Sequence, residues 1–358
     1  MTKDIIFKFA HCGDLHLGCR QRNIRQRKLD IFDSYLDMCD SMIDSEVDAV
    51  LIAGDFFHTK LVDFETLAVA ERGLKVFRGI DVCAIDGNHD NVPEYSWMDY
   101  LSEYVLSYNN CTVINPNIYL YTINWSTVQE TVKKIEWFKT ILNPNHFNIL
   151  MMHQAIEGQI YEDTKKSYIT KDYLETLKPY FQYVALGHIH NSYVVDRVAF
   201  NPGSIEYLSA SDSWLSPTGY FLVTVYSDLT FDYELIETKK RVNFYLKIST
   251  NDLKAIDKNE ICGIIKDRIT SKEAMILVEF SGNRELSPKL IKEIEAELYQ
   301  SLNPVLLKIK NYTIPKQLWL PEIKESQDVY DTTFGDDAAV AREISTNYKE
   351  ADKIIKLL

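Results

Sequence analysis

Apolar residues along the first part of the chain follow two different spacings. Short, almost wholly apolar runs end near Phe9 and cover residues 49–53, 82–85 and 183–186, and each precedes a glycine. Such runs are typical of buried strands that stop at a turn. Residues 29–43 and 66–77 instead carry apolar residues three and four positions apart, as core-packed helices do. The pattern predicts an α/β fold whose loops gather at strand ends, where functional sites usually lie.

A second pattern begins after Arg241. The sequence there predicts a compact β-α-β-α-β unit with elements over residues 243–248, 260–268, 275–280, 289–300 and 305–309. This stretch contains no histidine. We therefore expect it to shape or cap a site rather than to carry the chemistry.

The last part of the chain combines a polar stretch with an apolar stripe. Residues 315–337 are polar and acidic without a clear period, which predicts a linker. The residues that follow predict a charged helix with one apolar stripe, formed by Val340, Ile344, Tyr348, Ala351, Ile355 and Leu358. From the residues alone, this stripe packs either on its own domain or on a partner. The predicted domains are residues 1–240, 241–314 and 315–358.

Length and composition limit the class of protein. The chain has 358 residues, 46% of them hydrophobic and 25% charged, which is typical of a soluble globular protein with more than one domain. No apolar run approaches the roughly 18 to 20 residues of a membrane span, and the first residues predict a strand rather than a signal peptide. We expect no membrane contact and a cytoplasmic location.

Charge and cysteine usage narrow the picture further. The net charge of -13 argues against a surface coated with positive charge for non-specific nucleic-acid binding. One local basic cluster exists, formed by Arg20, Arg22, Arg25, Arg27 and Lys28. These residues belong either to a solvated loop and helix start or to a site that contacts phosphate. The six cysteines form no CxxC pair and are expected to be free thiols. Cys12 and Cys19 are better explained as small buried hydrophobes than as metal ligands.

The distribution of histidines is the strongest signal for chemistry. Of eight histidines, only His11 and His146 lie outside short blocks that also contain Asp, Asn or Gly. The blocks are Asp14-Leu-His16, Gly54-Asp55-Phe-Phe-His58, Gly87-Asn88-His89-Asp90, Met152-His153-Gln154 and Gly187-His188-Ile-His190. Each follows an apolar run, so the side chains are expected to meet at one edge of the fold. Alternation along a strand or its extension would let Asp14 and His16 point the same way, and likewise His188 and His190.

These residue types indicate a pair of divalent metal ions. Asp55 can bridge two cations through its two oxygens, while Asn88 and the imidazoles complete mixed oxygen and nitrogen shells. Thiolate ligands are absent from the set, which favours manganese, iron or catalytic zinc over a structural zinc site. Two cations roughly 4 Å apart suit phosphoester hydrolysis because they activate water and stabilise charge at phosphorus. His89, beside a predicted ligand, is placed to donate a proton to the leaving oxygen or to stabilise the transition state.

The five blocks resemble the calcineurin-like metallophosphoesterase superfamily, with its D-x-H, G-D, G-N-H-D/E, lone H and G-H-x-H pattern. Within it, the opening residues 9–18, the Gly54-Asp-Phe-Phe-His58 block and residues 201–209 are similar to SbcD, the nuclease subunit of the SbcC-SbcD repair complex, and its archaeal and eukaryotic counterparts. The resemblance implies a four-layer αββα sandwich with a small α+β capping domain and a C-terminal helix. A G-D-Y-V-D-R-G block, expected of protein phosphatases, is absent.

The resemblance also implies roles for individual residues. One metal would be held by Asp14, His16, Asp55 and His190, and the other by Asp55, Asn88, His153 and His188. His89 takes the catalytic proton-transfer role, and His58 helps to place the DNA end. Arg20, Arg22 and Arg25 become candidates for local phosphate contacts. The cofactors implied are two divalent metal ions, taken here as manganese(II).

The implied activity is a manganese-dependent DNA exonuclease and endonuclease in double-strand break repair or end processing. The implied partners are DNA and an SbcC-type coiled-coil ATPase that binds the C-terminal helix, and the family also implies a homodimer. Two other functions fit some of the same residues. A phosphodiesterase for a small nucleotide would use the same metal blocks, and a non-enzymatic assembly subunit would use only the tail.

Overall fold

The computed structural model describes residues 3–92, 96–106, 110–159, 167–208 and 217–313. The predicted linker and the apolar stripe of residues 340–358 lie outside these described residues. Within them, no helix combines the length and the apolar character that crossing a membrane requires.

Strands and helices alternate through most of the described chain. The helices are α1 (Arg25–Asp44), α2 (Phe64–Leu74), α3 (Trp97–Tyr100), α4 (Val128–Ile141), α5 (Lys171–Glu175), α6 (Lys258–Arg268) and α7 (Pro288–Leu302), with 3₁₀ turns at Gln21–Asn23 and Lys75–Phe77. The strands are β1 (Ile5–Cys12), β2 (Ala49–Ala53), β3 (Asp81–Ile85), β4 (Asn110–Asn115), β5 (Ile118–Ile123), β6 (Phe147–Met152), β7 (Ala155–Ile156), β8 (Tyr168–Ile169), β9 (Tyr183–Leu186), β10 (Tyr193–Val195), β11 (Ala199–Asn201), β12 (Gly219–Tyr226), β13 (Phe231–Glu237), β14 (Asn243–Ser249), β15 (Met275–Ser281) and β16 (Leu306–Asn311).

Two large sheets form the main body. The first has the strand order β13-β12-β1-β2-β3, and its last three strands run parallel. The second has the order β10-β11-β9-β6-β5-β4, with β5, β6, β9 and β11 parallel. Parallel strands bring their carboxyl ends to the same edge of a sheet, so each sheet presents one set of loops there.

The alternation of side chains across each strand separates the layers. In β2, Leu51 packs between the two sheets, whereas Ile52 packs toward α1 and α2. In β6, Ile149 packs between the sheets and Leu150 packs with residues of α4 and α5. Successive residues of a strand point to opposite faces, so both sheets bury both faces. The predicted four-layer αββα sandwich is therefore confirmed.

A smaller unit follows the sandwich. It contains β14, α6, β15, α7 and β16 in that order, which matches the β-α-β-α-β pattern predicted from the sequence. Its three strands are parallel, in the order β14-β15-β16, and a separate apolar core includes Ile261, Val278 and Leu298. The domain boundaries at residues 240 and 314 stay a prediction.

The cysteines are free thiols, as predicted from their spacing. Cys12 and Cys19 are buried with 1% and 3% exposure and belong to the apolar core against α1. Their packing supports the small-hydrophobe interpretation over metal ligation.

Candidate metal centre

The predicted ligands all lie in loops that follow the carboxyl ends of parallel strands. Asp14 and His16 follow β1, and Asp55 follows β2. From the remaining strands, the loop after β3 carries Asn88, the loop after β6 carries His153, and the loop after β9 carries His188 and His190. The two sheets therefore deliver their polar residues to one edge of the sandwich.

One donor cluster forms around His16. Its Nε2 atom lies 3.5 Å from Oδ2 of Asp55 and 3.9 Å from Oδ1 of Asp14. Ligand atoms of Asp14, His16 and His190 all lie within 4.8 Å of one another. This is the set that the sequence analysis assigned to one metal.

A second donor cluster forms around Asn88. Its Oδ1 atom lies 2.9 Å from Nδ1 of His188 and 3.1 Å from Nε2 of His153. His153 Nε2 also lies 3.4 Å from Oδ2 of Asp55. Asp55 thus belongs to both clusters, as a bridging carboxylate would.

The donor set fits bound cations on an observation independent of sequence motifs. His16 is fully buried, yet its Nε2 atom has no hydrogen-bond partner. A buried polar atom without a partner costs free energy, so it needs an explanation such as a bound water or ion. With carboxylate oxygens of Asp14 and Asp55 nearby, a divalent cation satisfies this nitrogen and balances both negative charges.

Hydrogen bonds behind the clusters orient the ligands. Nδ1 of His153 lies 2.8 Å from the carbonyl oxygen of Ala53, which can only accept, so this nitrogen carries a proton and Nε2 is the nitrogen that faces the cluster. The carboxylate of Asp14 accepts the backbone N–H of His188 at 2.9 Å. The backbone N–H of His89 donates to Oδ1 of Asp55 at 2.8 Å. Three of the ligands are therefore held by backbone groups from other parts of the chain.

Left-handed backbone turns, rather than strand alternation, aim several of these side chains. Asp14, His16, Asp55 and His188 have φ values of 52°, 47°, 52° and 87°, and all lie beyond the last residues of their strands. The predicted alternation along a strand extension is therefore wrong as the cause of their convergence. Non-glycine residues seldom adopt positive φ, and such strain concentrates at functional sites.

His89 and His58 lie beside His16, with ring centroids 4.7 and 5.3 Å from that of His16, and both are half-buried. Nδ1 of His89 lies 2.9 Å from the carbonyl oxygen of His58, so this nitrogen donates and Nε2 is left for a substrate. Nδ1 of His58 lies 3.2 Å from Nδ1 of His16, and its ring stacks on His89 with centroids 5.2 Å apart. His58 therefore contacts both a predicted ligand and the predicted proton donor.

Burial and charge perturb the ionisation of the cluster. Burial raises the pKa of Asp14 to about 6, although the nearby histidines oppose the shift. For Asp55, burial acts in the same direction, but the hydrogen bond and charge of His153 prevail and lower its pKa. Burial lowers the pKa of His188 to about 4 and that of His16 well below its usual range. Burial acts in the same direction on His153, but the hydrogen bond and charge of Asp55 prevail and raise its pKa to about 9. Neutral imidazoles are the form that binds metal, so His153 would release a proton when a cation binds.

Two residues support the site in ways that the sequence did not reveal. The buried carboxylate of Asp90 accepts the backbone N–H groups of Phe57 and Gly87 at 3.1 and 2.8 Å, which ties two ligand loops together. The side chain of Asn201 donates to the carbonyls of Ile189 and Asn191 at 2.6 and 2.8 Å, on either side of His190. Asp90 and Asn201 lie within sequence motifs of the family, which was the only sequence signal for them. Their hydrogen-bond partners depend on the fold.

The basic cluster divides into two groups. Arg27 and Lys28 are fully buried and form ion pairs with Asp30 and Glu206 and with Asp63 and Glu65, respectively. They belong to the core of the loop and helix start, so the phosphate-contact hypothesis is wrong for these two. Arg20, Arg22 and Arg25 are exposed, and Arg25 pairs with Glu65 at 2.8 Å.

The remaining two histidines are structural. Both ring nitrogens of buried His11 have partners, at 2.9 Å to the Tyr183 hydroxyl and 3.0 Å to the carbonyl of Leu186. His146 stacks on Tyr119 with ring centroids 4.5 Å apart. Their position outside the sequence blocks had separated them from the predicted ligands.

Comparison with known families agrees with this geometry. The family described as calcineurin-like phosphoesterase matches residues 7–192, which include every predicted ligand. The chain therefore belongs to the calcineurin-like phosphoesterases, a class whose chemistry is the hydrolysis of phosphoesters.

The relatives identify the group within that class. The chain is 30% identical to the DNA double-strand break repair protein Mre11 of Methanocaldococcus jannaschii over 298 residues, 77% of this chain and 74% of the relative. It is 26% identical to Mre11 of Methanosarcina acetivorans across 94% of this chain and 54% of that protein. It is 23% identical to Mre11 of Saccharolobus solfataricus across 98% and 94% of the two chains. It is a member of the Mre11 and SbcD group, as its motifs predicted.

Proposed function

We propose that this chain is a manganese-dependent DNA exonuclease and endonuclease that acts in double-strand break repair or DNA end processing. The observation that carries the proposal is the pair of donor clusters around the unpartnered His16 nitrogen, which share Asp55. Relatives that are named as DNA double-strand break repair proteins support DNA as the substrate.

The proposed ligands are those of the two clusters. Asp14, His16, Asp55 and His190 would hold one divalent ion, and Asp55, Asn88, His153 and His188 would hold the other. Two bound ions supply Lewis-acid activation of water and stabilisation of charge on the phosphorus centre. Manganese fits the mixed oxygen and nitrogen donors, and no thiolate belongs to either cluster.

The side chains around the clusters would carry the remaining steps. The Nδ1–H of His89 is held by the His58 carbonyl, so Nε2 is free to bind a phosphate oxygen or to donate a proton to the leaving 3′ or 5′ oxygen. His58, stacked on His89, would position the DNA end.

Replacement of His89 tests the nuclease proposal directly. His89→Ala should slow manganese-dependent cleavage of linear and single-stranded DNA by about 10²- to 10⁴-fold while bound metal is retained. His146→Ala is the matched control because His146 stacks on Tyr119 outside the clusters. DNA cleavage by His89→Ala at the wild-type rate would refute the proposed role. A wild-type chain that hydrolyses a small cyclic nucleotide but leaves DNA intact would instead establish the small-nucleotide alternative.

We further propose phosphate contacts by Arg20, Arg22 and Arg25. Arg22 lies close enough to Lys308 of β16 to help lower the pKa of that lysine, after the larger effect of burial. The small unit therefore adds a cation to the basic cluster in an otherwise acidic protein. Arg22→Ala should weaken DNA binding and make its dependence on salt less steep. A salt dependence equal to that of the wild type would exclude a phosphate contact by Arg22.

A coiled-coil ATPase of the SbcC type and a second copy of the chain are the proposed partners. The apolar stripe of residues 340–358 would bind the ATPase. Deletion of these residues should abolish co-elution with the ATPase, and unchanged co-elution would reject this docking role.

Leu61 and Phe64 are 84% and 85% exposed and support a dimer contact. Phe64→Asp should shift a dimer toward monomer in sedimentation, whereas an unchanged mass would exclude Phe64 from the dimer contact.

A further inference from the structure

An exposed tryptophan lies beside the metal centre. Trp125 follows β5 and its side chain keeps 42% exposure, whereas Trp97 is 8% exposed and stacks on Phe56. The backbone N–H of Trp125 donates to the carbonyl of Asp86 at 2.9 Å, one residue before the Gly-Asn-His-Asp block. Its own carbonyl accepts from the side chain of Asn91 at 3.3 Å, one residue after that block. Trp125 therefore borders the loop that carries Asn88 and His89.

The sheet topology puts this tryptophan on the same edge as the ligands. β5, β6 and β9 are adjacent and parallel. The residues after their carboxyl ends are Trp125, His153 and His188, respectively. Ligands of open α/β sheets bind outside these carboxyl ends, so the Trp125 loop lies on the edge where a substrate of the metal centre would bind.

Hydrogen bonds hold the loop between two ligand loops. Oδ1 of Asn124 accepts the backbone N–H of Asp86 at 3.2 Å. The carbonyl of Ser126 accepts from the side chain of Gln154, the neighbour of His153, at 2.6 Å. Thr127 then caps the N-terminus of α4 in a capping box with Glu130. The indole is thus presented by a fixed backbone and is not needed to fill the core.

An indole at this position has a specific use in a nuclease. A flat, exposed aromatic ring stacks on the face of an unpaired base, and this contact needs no positive charge. That property suits a chain whose net charge is -13. Bases inside a duplex are stacked on one another and offer no free face, so the contact selects single strands and frayed ends.

We propose that Trp125 stacks on an unpaired base of the strand whose phosphodiester lies at the metal centre. This inference rests on the proposed nuclease function. It assigns Trp125 as a specificity-determining residue that favours single-stranded DNA and opened ends over intact duplex.

Steady-state kinetics on a single-stranded oligonucleotide test the assignment. Trp125→Ala should raise KM roughly 5- to 100-fold, the range for loss of one stacked base, and Trp125→Phe should recover most of the affinity. The ratio of KM values for Trp125→Ala and the wild type should fall toward one on a strand with abasic sites. Trp137→Ala is the matched control because Trp137 is 46% exposed and lies on α4.

Two results would overturn the assignment while the nuclease proposal stands. In both, the wild type cleaves DNA. Either Trp125→Ala keeps the wild-type KM for single strands, or Trp137→Ala raises KM equally. A wild type that hydrolyses methyl p-nitrophenyl phosphate but no DNA would instead reject the nuclease proposal itself.

Discussion

At the scale of single residues, an unpartnered ring nitrogen that faces carboxylates distinguishes a candidate ligand from a structural histidine. His11 and His16 are both buried, and both belong to the same stretch of chain. Both nitrogens of His11 are satisfied, whereas Nε2 of His16 has no partner and faces two carboxylates. The groups that surround each ring come from residues that are distant in the sequence. The residues next to each histidine in the chain therefore do not determine whether its nitrogens have partners.

Metal addition should therefore stabilise the protein through His16. Manganese at about 100 times its Kd should raise the free energy of unfolding by roughly 2.7 kcal/mol, which appears as a higher Tm that a chelator reverses. His16→Ala should lose most of this shift because one ligand of the shared cluster is gone. His146→Ala, which lies outside the clusters, should keep it. A wild-type Tm that changes with neither manganese nor chelator would contradict the metal assignment.

The half-buried Lys240 gives the protein a pH dependence unrelated to the metals. Burial lowers the pKa of Lys240 to about 8, although Glu206 and Glu237 oppose the shift. The folded state thus releases this proton at lower pH than the unfolded state does. The contribution of Lys240 to the free energy of unfolding should therefore increase as pH rises from about 8 to 10.5.

Urea unfolding at several pH values checks this prediction. Relative to Lys240→Met, the wild type should gain on the order of 2 kcal/mol across that interval. Lys239→Met is the control because the Lys239 side chain is 85% exposed. Parallel pH curves for the wild type and Lys240→Met would show that Lys240 titrates normally.

At the scale of secondary-structure elements, tight strand-to-loop turns set the site. Gly87 and Gly187 follow β3 and β9; Gly87 lies close to Asp55 in the loop after β2, and Gly187 lies close to Ala53 at the end of β2. A Cβ atom on Gly187 would lie 2.2 Å from the carbonyl oxygen of Ala53. These glycines are thus required for close approach between loops, which is a stronger constraint than the flexible turn that the sequence suggested.

Gly87→Ala should damage the metal centre. Its Cβ would lie 2.1 Å from Oδ1 of Asp55 and 2.3 Å from the backbone nitrogen of Asp55, so the shared carboxylate must move. We expect about a 10- to 100-fold loss of metal affinity by calorimetry. Gly263→Ala is the control: it adds a Cβ within α6 with nothing inside 4 Å and should stabilise that helix by up to about 1 kcal/mol. Wild-type metal affinity in Gly87→Ala would disprove the close-approach argument.

At the scale of the whole molecule, one ionic network joins the sandwich to the smaller unit. Asp30 of α1 accepts from both Arg27 and Arg241, and Arg27 also pairs with buried Glu206 at 3.2 Å. Arg241 in turn donates to the carbonyl of Glu273, which precedes β15. A buried network of this kind is strongly destabilised when one partner is removed.

Arg241→Gln should loosen the smaller unit without unfolding the sandwich. Hydrogen exchange should accelerate in β14 and β15, because the contact from Asp30 to Glu273 is lost, while Arg27 still compensates the Asp30 charge. Lys239→Gln, which removes only an exposed pair with Asp37, serves as the control. Equal exchange rates in Arg241→Gln and the wild type would mean that other contacts hold the unit.

The sequence alone determined the fold class, the alternation of strands and helices and which polar blocks meet at one edge of the fold. Buried strands and amphipathic helices are local patterns, and polar blocks after successive strands meet wherever parallel strands end. The tertiary structure decided which basic residues are accessible to a phosphate, because Arg27 and Lys28 form ion pairs with carboxylates that are distant in the chain. It also decided how Asp90 and Asn201 brace the ligand loops and where Trp125 is exposed. These are properties of pairs of residues brought together by packing, and no local pattern encodes such pairs.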